Sequence, residues 1–253
     1  MSQVEIVKSR IVGVGPMTVQ EARPREAITT FAWNSSPVCI VEEVDLPYEP
    51  DPRLVLLRAP GSAQARSYRL LQHRVFAKGA PRVVAVTSAE PGEGKTTCAA
   101  NLALAFAEAT LSRVLLVDAS LARPGIADLF GFAPAGSFMT KLLRNEDSAP
   151  PHVVASIAGS ALQLAALEPS VTAGRRLDRV LLAEVLRSLR TAYDYIVIDT
   201  ASVLESADAN SVAQCSDAVI LAARAGKSRQ SRLRHAVEQL QPANVVGTAL
   251  IDC

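Results

Sequence analysis

The feature that most constrains the fold is a glycine loop between an apolar run and an alanine-rich segment. Residues 82–88 read RVVAVTS, residues 89–97 read AEPGEGKTT, and an alanine- and leucine-rich stretch runs from Lys95 to Thr110. The valine-rich run predicts a buried strand, and the alanine-rich stretch predicts a helix. A strand, a glycine loop ending in Gly-Lys-Thr and a helix together predict a phosphate-binding loop, or P-loop.

The residue types of this loop suit phosphate binding. Glycines let the backbone bend and bring its N–H groups close to phosphate oxygens, and the helix N-terminus adds unpaired N–H groups. Lys95 can reach the β- and γ-phosphates, and the Thr96 hydroxyl can bind Mg²⁺. The alternative, a chance glycine turn, would not require the flanking strand and helix. The predicted nucleotide-binding residues are Pro91, Gly92, Glu93, Gly94, Lys95, Thr96 and Thr97.

Two aspartates end later apolar runs: Asp118 closes RVLLVD, and Asp199 closes YDYIVID. Ligands of open parallel sheets bind beyond the carboxyl ends of the strands, so both side chains are expected near the loop. An aspartate there can also cap a turn or helix, but two of them in a P-loop chain favour a metal role. We predict Lys95, Asp118 and Asp199 as catalytic residues, and Thr96, Asp118 and Asp199 as the Mg²⁺ site. ATP is the expected nucleotide, because no guanine-reading Asn-Lys-x-Asp motif is present.

The rest of the chain predicts an α/β fold. Short apolar runs without polar alternation are separated by helical segments, which is typical of parallel strands covered on both faces. One such helix is expected over 177–192, with Leu177, Val180, Leu181, Val185 and Leu189 on its buried side. We predict a doubly wound, mostly parallel sheet for residues 61–253. Residues 1–60 hold seven prolines and predict an irregular, proline-rich extension with one short strand in PVCIVEEV.

Composition limits the partners and the compartment. The net charge of +1 gives no reason to expect a nucleic-acid partner. The four cysteines are widely spaced and lack metal-ligand spacing, which fits a reducing cytosol. Because no apolar run reaches the length of a membrane span, any membrane role is expected to come through a partner.

Together these motifs resemble those of bacterial tyrosine kinases, the P-loop kinases that work with polysaccharide co-polymerases in capsule and exopolysaccharide export. SAEPGEGKTT resembles the Walker A loop of that family, VLLVDASLARPGIADLFG its Walker A′ stretch, and YDYIVIDTASVLESADA its Walker B stretch. The resemblance covers about residues 52–252. It implies a cytoplasmic ATP-dependent protein-tyrosine kinase, recruited to the inner membrane by the cytoplasmic segment of a membrane co-polymerase. It also implies that Lys95 steadies the phosphates, that Thr96 holds Mg²⁺ and Asp199 binds it through water, and that Asp118 orients or deprotonates the acceptor tyrosine.

The chain departs from the family pattern at three places. Ser120 stands where Walker A′ carries its second aspartate, and no tyrosine follows Tyr195, whereas the family has a tyrosine-rich tail. The family's ring-forming Glu-x-x-Arg-x-x-Arg motif reads Arg66, Arg69 and Gln72, so at most a weak homo-oligomer is expected. These departures leave two hypotheses open. The chain is an active kinase, or it is an ATP-binding docking module for the co-polymerase that transfers phosphate poorly.

Three further sequence features have a weaker bearing on function. Glu90 occupies the position where related ATPases, which position division sites and segregate chromosomes, carry a signature lysine, so the chain does not fit that branch. The basic segment 224–235 is interpreted as a solvated helix face, with contact to anionic headgroups or an acidic partner as the alternative. Cys98 is interpreted as a small packing residue rather than a nucleophile.

Overall fold

The structure is a computed structural model that describes residues 38–110, 112–134, 138–143, 152–167 and 176–251. The strands of these segments are β1 Val38–Val44, β2 Val83–Ser88, β3 Val114–Ala119, β4 His152–Ile157, β5 Leu162–Ala165, β6 Tyr195–Thr200, β7 Ala218–Arg224 and β8 Val245–Ile251. The helices are α1 Val55–Arg58, α2 Ala63–Phe76, α3 Lys95–Thr110, α4 Ile126–Phe130, α5 Phe138–Leu143, α6 Arg179–Leu189, α7 Ala207–Gln214 and α8 Gln230–Gln239.

The strands form one sheet in the order β1-β4-β5-β3-β6-β2-β7-β8. Every neighbouring pair is parallel except β4 and β5, which run antiparallel. One hydrophobic cluster packs α5, α6, α7 and α8 on one face of the sheet, and a second packs α1, α2, α3 and α4 on the other. These observations confirm the predicted doubly wound, mostly parallel α/β fold.

The sheet order brings three strand ends together. The strands β3, β6 and β2 are consecutive neighbours, with Asp118 opposite Asp199 and Val86 opposite Asp199 in the parallel registers. Because parallel strands present their carboxyl ends at one edge, the loop after β2 and the two aspartates meet there. The strands β2 and β3 are buried at every position, which explains their continuous apolar sequence.

The segment before α2 contributes to the domain core. The strand predicted in PVCIVEEV is present as β1, which pairs with β4. Leu54 is fully buried and Leu56 is 3% exposed, and both belong to the cluster on the α3 face. Residues 1–37 lie outside the described residues, so the irregular extension and its boundary at residue 60 stay predictions. None of the described helices is long and apolar enough to cross a membrane.

The structure differs from the sequence predictions at two local features. The strand β4, with the sequence HVVASI, was not predicted. The prediction of which α6 residues are buried was partly wrong. Val180 is 62% exposed, whereas Leu182 and Leu186 are buried together with Val185 and Leu189. In its sequence, RVLLAEVLRSL, consecutive apolar residues lie on neighbouring faces of the helix. Packing in the core buries the face that carries Leu182 and Leu186 rather than the one that carries Val180.

Candidate active site

The glycine loop connects β2 to α3. Gly92 and Gly94 have φ angles of +72° and +87°, in the left-handed region that favours glycine. A Cβ atom on Gly94 would lie 3.2 Å from the Ile251 side chain at the end of β8. Gly94 is therefore required both by its backbone conformation and by the close packing of the loop against the sheet.

Thr96 and Asp199 form the centre of the site. The Thr96 hydroxyl, in the first turn of α3, donates a hydrogen bond of 2.7 Å to Asp199 Oδ2. Asp199 is fully buried, and its second oxygen, Oδ1, finds no hydrogen-bond partner among the described residues. Buried polar atoms are rarely left unpaired in proteins. A hydroxyl and an open carboxylate oxygen beside a phosphate loop are the donors that Mg²⁺ takes in such sites, so these residues fit the predicted cofactor.

Asp118 lies next to Asp199 but has different contacts. Its Oδ1 accepts the Ser120 N–H at 3.0 Å, and its Oδ2 accepts the N–H groups of Gly125 at 2.9 Å and Ile126 at 3.1 Å. The carboxylate thereby closes the loop between β3 and α4, which is the turn-capping role considered as the alternative for this residue. The backbone bonds fix both oxygens in place at the carboxyl edge of the sheet.

The loop after β3 packs against the first turn of α3, the helix that follows the P-loop. A Cβ atom on Gly125 would lie 3.4 Å from Thr96 Cγ2. Ser120, at the start of this loop, is 3% exposed, so the position where the family carries a second aspartate is buried beside the site. The Asp118 contacts therefore hold Gly125 against Thr96 and keep Ser120 buried next to Asp118.

The carboxyl groups of Asp118 and Asp199 are both buried. Burial raises the pKa of Asp199 above its ordinary value, the neighbouring Asp118 raises it further, and Thr96 and Lys95 lower it in part. Burial also raises the pKa of Asp118, against the lowering effect of its three backbone hydrogen bonds and of Lys95. Two adjacent buried carboxylates resist ionising together, and a bound cation would relieve that repulsion.

The structure shows a contact to the loop that the sequence did not predict. Glu93, a predicted nucleotide-binding residue, is 1% exposed and its side chain faces the protein. One carboxylate oxygen accepts the Glu90 N–H at 2.8 Å, and the other accepts the hydroxyl of Ser228, in the loop between β7 and α8. Glu93 and Ser228 are 135 residues apart, so no local pattern could have revealed the pair.

The remaining predicted residues lie where the motif placed them. Pro91 belongs to the loop, and Lys95 and Thr97 to the first turn of α3. Cys98 follows on the same helix and is fully buried, and burial raises the pKa of its thiol to about 12. A buried, protonated thiol is a packing group, which confirms the interpretation of Cys98.

A mostly parallel sheet with a P-loop after one strand and aspartates closing two neighbouring strands defines the fold of the P-loop nucleotide-binding proteins. No family model matches the chain. The chain is 30% identical over 190 residues to the tyrosine-protein kinase YwqD of Bacillus subtilis (strain 168), a match that covers 74% of this chain and 79% of YwqD. A solved structure of the VpsO kinase domain, 30% identical, superposes with a TM-score of 0.59 over 75% of this chain and 98% of that domain.

A longer relative is the succinoglycan biosynthesis transport protein ExoP of Rhizobium meliloti (strain 1021). It is 29% identical over 222 residues, which cover 83% of this chain but 28% of ExoP. The chain belongs to the family of bacterial tyrosine-protein kinases, as its motifs predicted. None of these relatives favours the alternative of an ATP-binding docking module that transfers phosphate poorly.

Proposed function

We propose that the chain is an ATP-dependent protein-tyrosine kinase that acts in exopolysaccharide or capsule biosynthesis and export. The observation that carries the proposal is the Thr96–Asp199 pair beside the P-loop, with its open, buried Asp199 oxygen. The site would bind ATP with Mg²⁺, which neutralises phosphate charge when bound. Family membership supports transfer of the γ-phosphoryl group to tyrosine rather than to water.

Each site residue has a role in this proposal. Lys95 steadies the β- and γ-phosphates, and Thr96 and Asp199 hold Mg²⁺. Asp118 orients the acceptor tyrosine and takes its phenolic proton as the tyrosine oxygen bonds to the γ-phosphorus. The bond from that phosphorus to the bridging oxygen breaks, and ADP leaves. Burial, which raises the pKa of Asp118 towards neutrality, suits a proton acceptor of this kind.

The proposed acceptor tyrosine lies on another protein. Tyr193 is 2% exposed and its hydroxyl donates to Gln163, while Tyr195 stacks on Phe106 with ring centroids 4.3 Å apart. Neither can enter an active site without disrupting the core. Among the described tyrosines, Tyr48 is fully exposed and Tyr68 is half-buried, and these are the residues to monitor for self-phosphorylation.

The proposed place of action is the cytoplasmic face of the inner membrane. There the chain would bind the cytoplasmic segment of a membrane polysaccharide co-polymerase. The relative ExoP, which is named as a succinoglycan biosynthesis transport protein, supports this setting.

Replacing the P-loop lysine tests the nucleotide part of the proposal. In Lys95→Ala, tight binding of a fluorescent ATP analogue should be lost, because Lys95 is the loop's own cation for the phosphates. Lys78→Ala, at an exposed position after α2, is the matched control and should bind like the parent. Unchanged affinity in Lys95→Ala would show that the P-loop does not bind the nucleotide.

Phosphoryl transfer tests the kinase part. Labelled ATP is incubated with the protein, with and without a co-polymerase cytoplasmic segment, and phosphotyrosine is mapped by mass spectrometry. The proposal expects label on tyrosines of the added segment and little on this chain. ATP binding without transfer to any tyrosine would instead support a docking module.

A further inference from the structure

The loop between β7 and α8, residues 225–229, is a closed turn with one projecting lysine. The Arg224 carbonyl accepts the N–H groups of Lys227 at 3.1 Å and Ser228 at 2.9 Å. The Ser228 hydroxyl oxygen accepts the Arg224 N–H at 2.8 Å, and Gly226 adopts a φ of +70°. The turn therefore has a defined backbone shape without help from a ligand.

Two side-chain contacts, both from residues that follow Lys227 in sequence, fasten this turn and the start of α8 to the P-loop. The buried Glu93 carboxylate accepts the Ser228 hydroxyl. Arg232, in the first turn of α8, donates to the Glu90 carboxylate at 2.8 Å. Hydrogen bonds to charged groups are among the stronger ones in proteins, so the turn and the P-loop are held as one unit.

This unit places a cation beside the glycine loop. A Cβ atom built on Gly92 would lie 3.2 Å from the Lys227 ammonium nitrogen. Within the part of the chain that the structure describes, no side chain or carbonyl pairs with that ammonium. The nearby Glu90 carboxylate is already paired with Arg232. Lys227 thus offers an unpaired positive charge next to the backbone that would cradle phosphates.

We propose that Lys227 is a second phosphate-binding lysine of this site, in addition to Lys95, and that it contacts the phosphate chain of the bound nucleoside triphosphate from the β7–α8 turn. The inference rests on the proposed ATP site. It gives Lys227 a function separate from the rest of the basic segment 224–235, in which Arg232 pairs with Glu90 and Arg234 lies on the exposed face of α8.

Charge-removing and charge-conserving substitutions test the inference. With a fluorescent ATP analogue and with ADP, Lys227→Met should bind about tenfold more weakly, the scale of losing one hydrogen bond to a charged group from an exposed position. Lys227→Arg should bind within about twofold of the parent, since it keeps the charge. Arg234→Met is the matched control. It removes a positive charge from α8 two residues beyond Arg232, on a different side of the helix, and should leave affinity unchanged.

Salt dependence separates a charge contact from a packing effect. The affinity gap between the parent and Lys227→Met should shrink as NaCl is raised, because screening weakens only the charged contact. Equal affinity of Lys227→Met and the parent at low salt, while Lys95→Ala abolishes binding, would overturn the inference and leave the proposed function standing. Unchanged binding in Lys95→Ala would instead overturn the proposed function. A loss that Lys227→Met shares with Arg234→Met, or a gap that salt does not alter, would also refute the assignment.

Discussion

At the scale of single residues, the contrast between the two aspartates decides what each can do. Asp118 has both oxygens occupied by backbone N–H groups, whereas Asp199 keeps one oxygen open. The first arrangement fixes a carboxylate in orientation, and the second leaves a position for an incoming ligand. Asp199 is therefore the stronger candidate for direct Mg²⁺ binding, and Asp118 is better suited to positioning and proton transfer.

The buried pair predicts a pH dependence of stability in the metal-free protein. Burial raises the pKa of Asp199, so the folded state holds a proton that the unfolded chain has released. When the native state binds more protons than the unfolded state, stability falls as pH rises. The free energy of unfolding by urea, measured in EDTA, should therefore decrease from slightly acid through neutral to mildly alkaline pH.

The control for this prediction is Asp199→Asn, which cannot ionise but can still accept the Thr96 hydroxyl. Its stability should fall less over the same pH range, because other titrating groups are common to both proteins. Identical pH profiles for the parent and the variant would show that Asp199 does not bind the extra proton.

Ser120 predicts a gain-of-function substitution. It is buried beside Asp118, and Ser120→Asp would add a carboxylate where the family carries one. We expect faster phosphoryl transfer at limiting Mg²⁺, by up to about 10²-fold, which is the scale of one preorganised electrostatic group. We also expect a lower melting temperature in EDTA, since a third buried carboxylate is uncompensated without a cation.

Ser120→Asn, similar in size but neutral, is the matched control and should show neither effect. Rates across a Mg²⁺ series and melting curves with and without EDTA measure both. If Ser120→Asp changes neither the rate nor the Mg²⁺ requirement, then the serine is not what sets activity.

At the scale of secondary-structure elements, the contact between the P-loop and the β7–α8 turn is the least expected feature, and it makes a separate prediction. Ser228→Ala leaves one oxygen of the buried Glu93 carboxylate without its donor and frees the Arg224 N–H. Leaving a buried group unpaired costs about 1–3 kcal/mol. Urea unfolding should report a loss of that size, accompanied by weaker ATP binding because the loop is less well held.

The control is Ser231→Ala, three residues further on at an exposed position of α8. It should change stability by no more than about 0.5 kcal/mol. A Ser228→Ala protein as stable as Ser231→Ala would mean that the Glu93 contact does not hold the loop.

The elements that the sequence predicted are those whose causes lie close together along the chain. The strand, glycine loop and helix at 82–110 are contiguous, and Asp118 and Asp199 each close an apolar run. The strand β4 was missed because its place between β1 and β5, including its antiparallel pairing with β5, is a property of the whole sheet and not of its own short sequence. The Glu93–Ser228 contact and the open Asp199 oxygen depend on residues far apart in the chain, so only the folded structure reveals them.

At the scale of the whole molecule, the two faces of the sheet carry different features. The α3 face includes α2, which bears the departures from the family's ring-forming motif. There Arg69 donates through Nε and Nη2 to Glu108 of α3, at 2.8 Å and 3.1 Å, and through Nη1 to the Pro60 carbonyl. Arg66 likewise donates to the Gly61 carbonyl at 2.6 Å. Both arginines are thus engaged within their own chain.

These contacts predict weak self-association. An arginine already paired in its own chain must give up those bonds before it can bind a neighbour. The exchange therefore gains little free energy, because the new exposed ion pair would itself contribute only about 0–1 kcal/mol. Since Arg66 also places a positive charge where the family motif has an acidic partner, like charges would oppose the usual subunit contact.

Sedimentation velocity at micromolar concentration should therefore find monomers or small, rapidly exchanging oligomers. Arg66→Glu combined with Gln72→Arg, which restores the family pattern, should shift the distribution to larger species. A stable homo-octamer of the parent chain would contradict this argument, because it would show that Arg69 and its neighbours do not limit assembly.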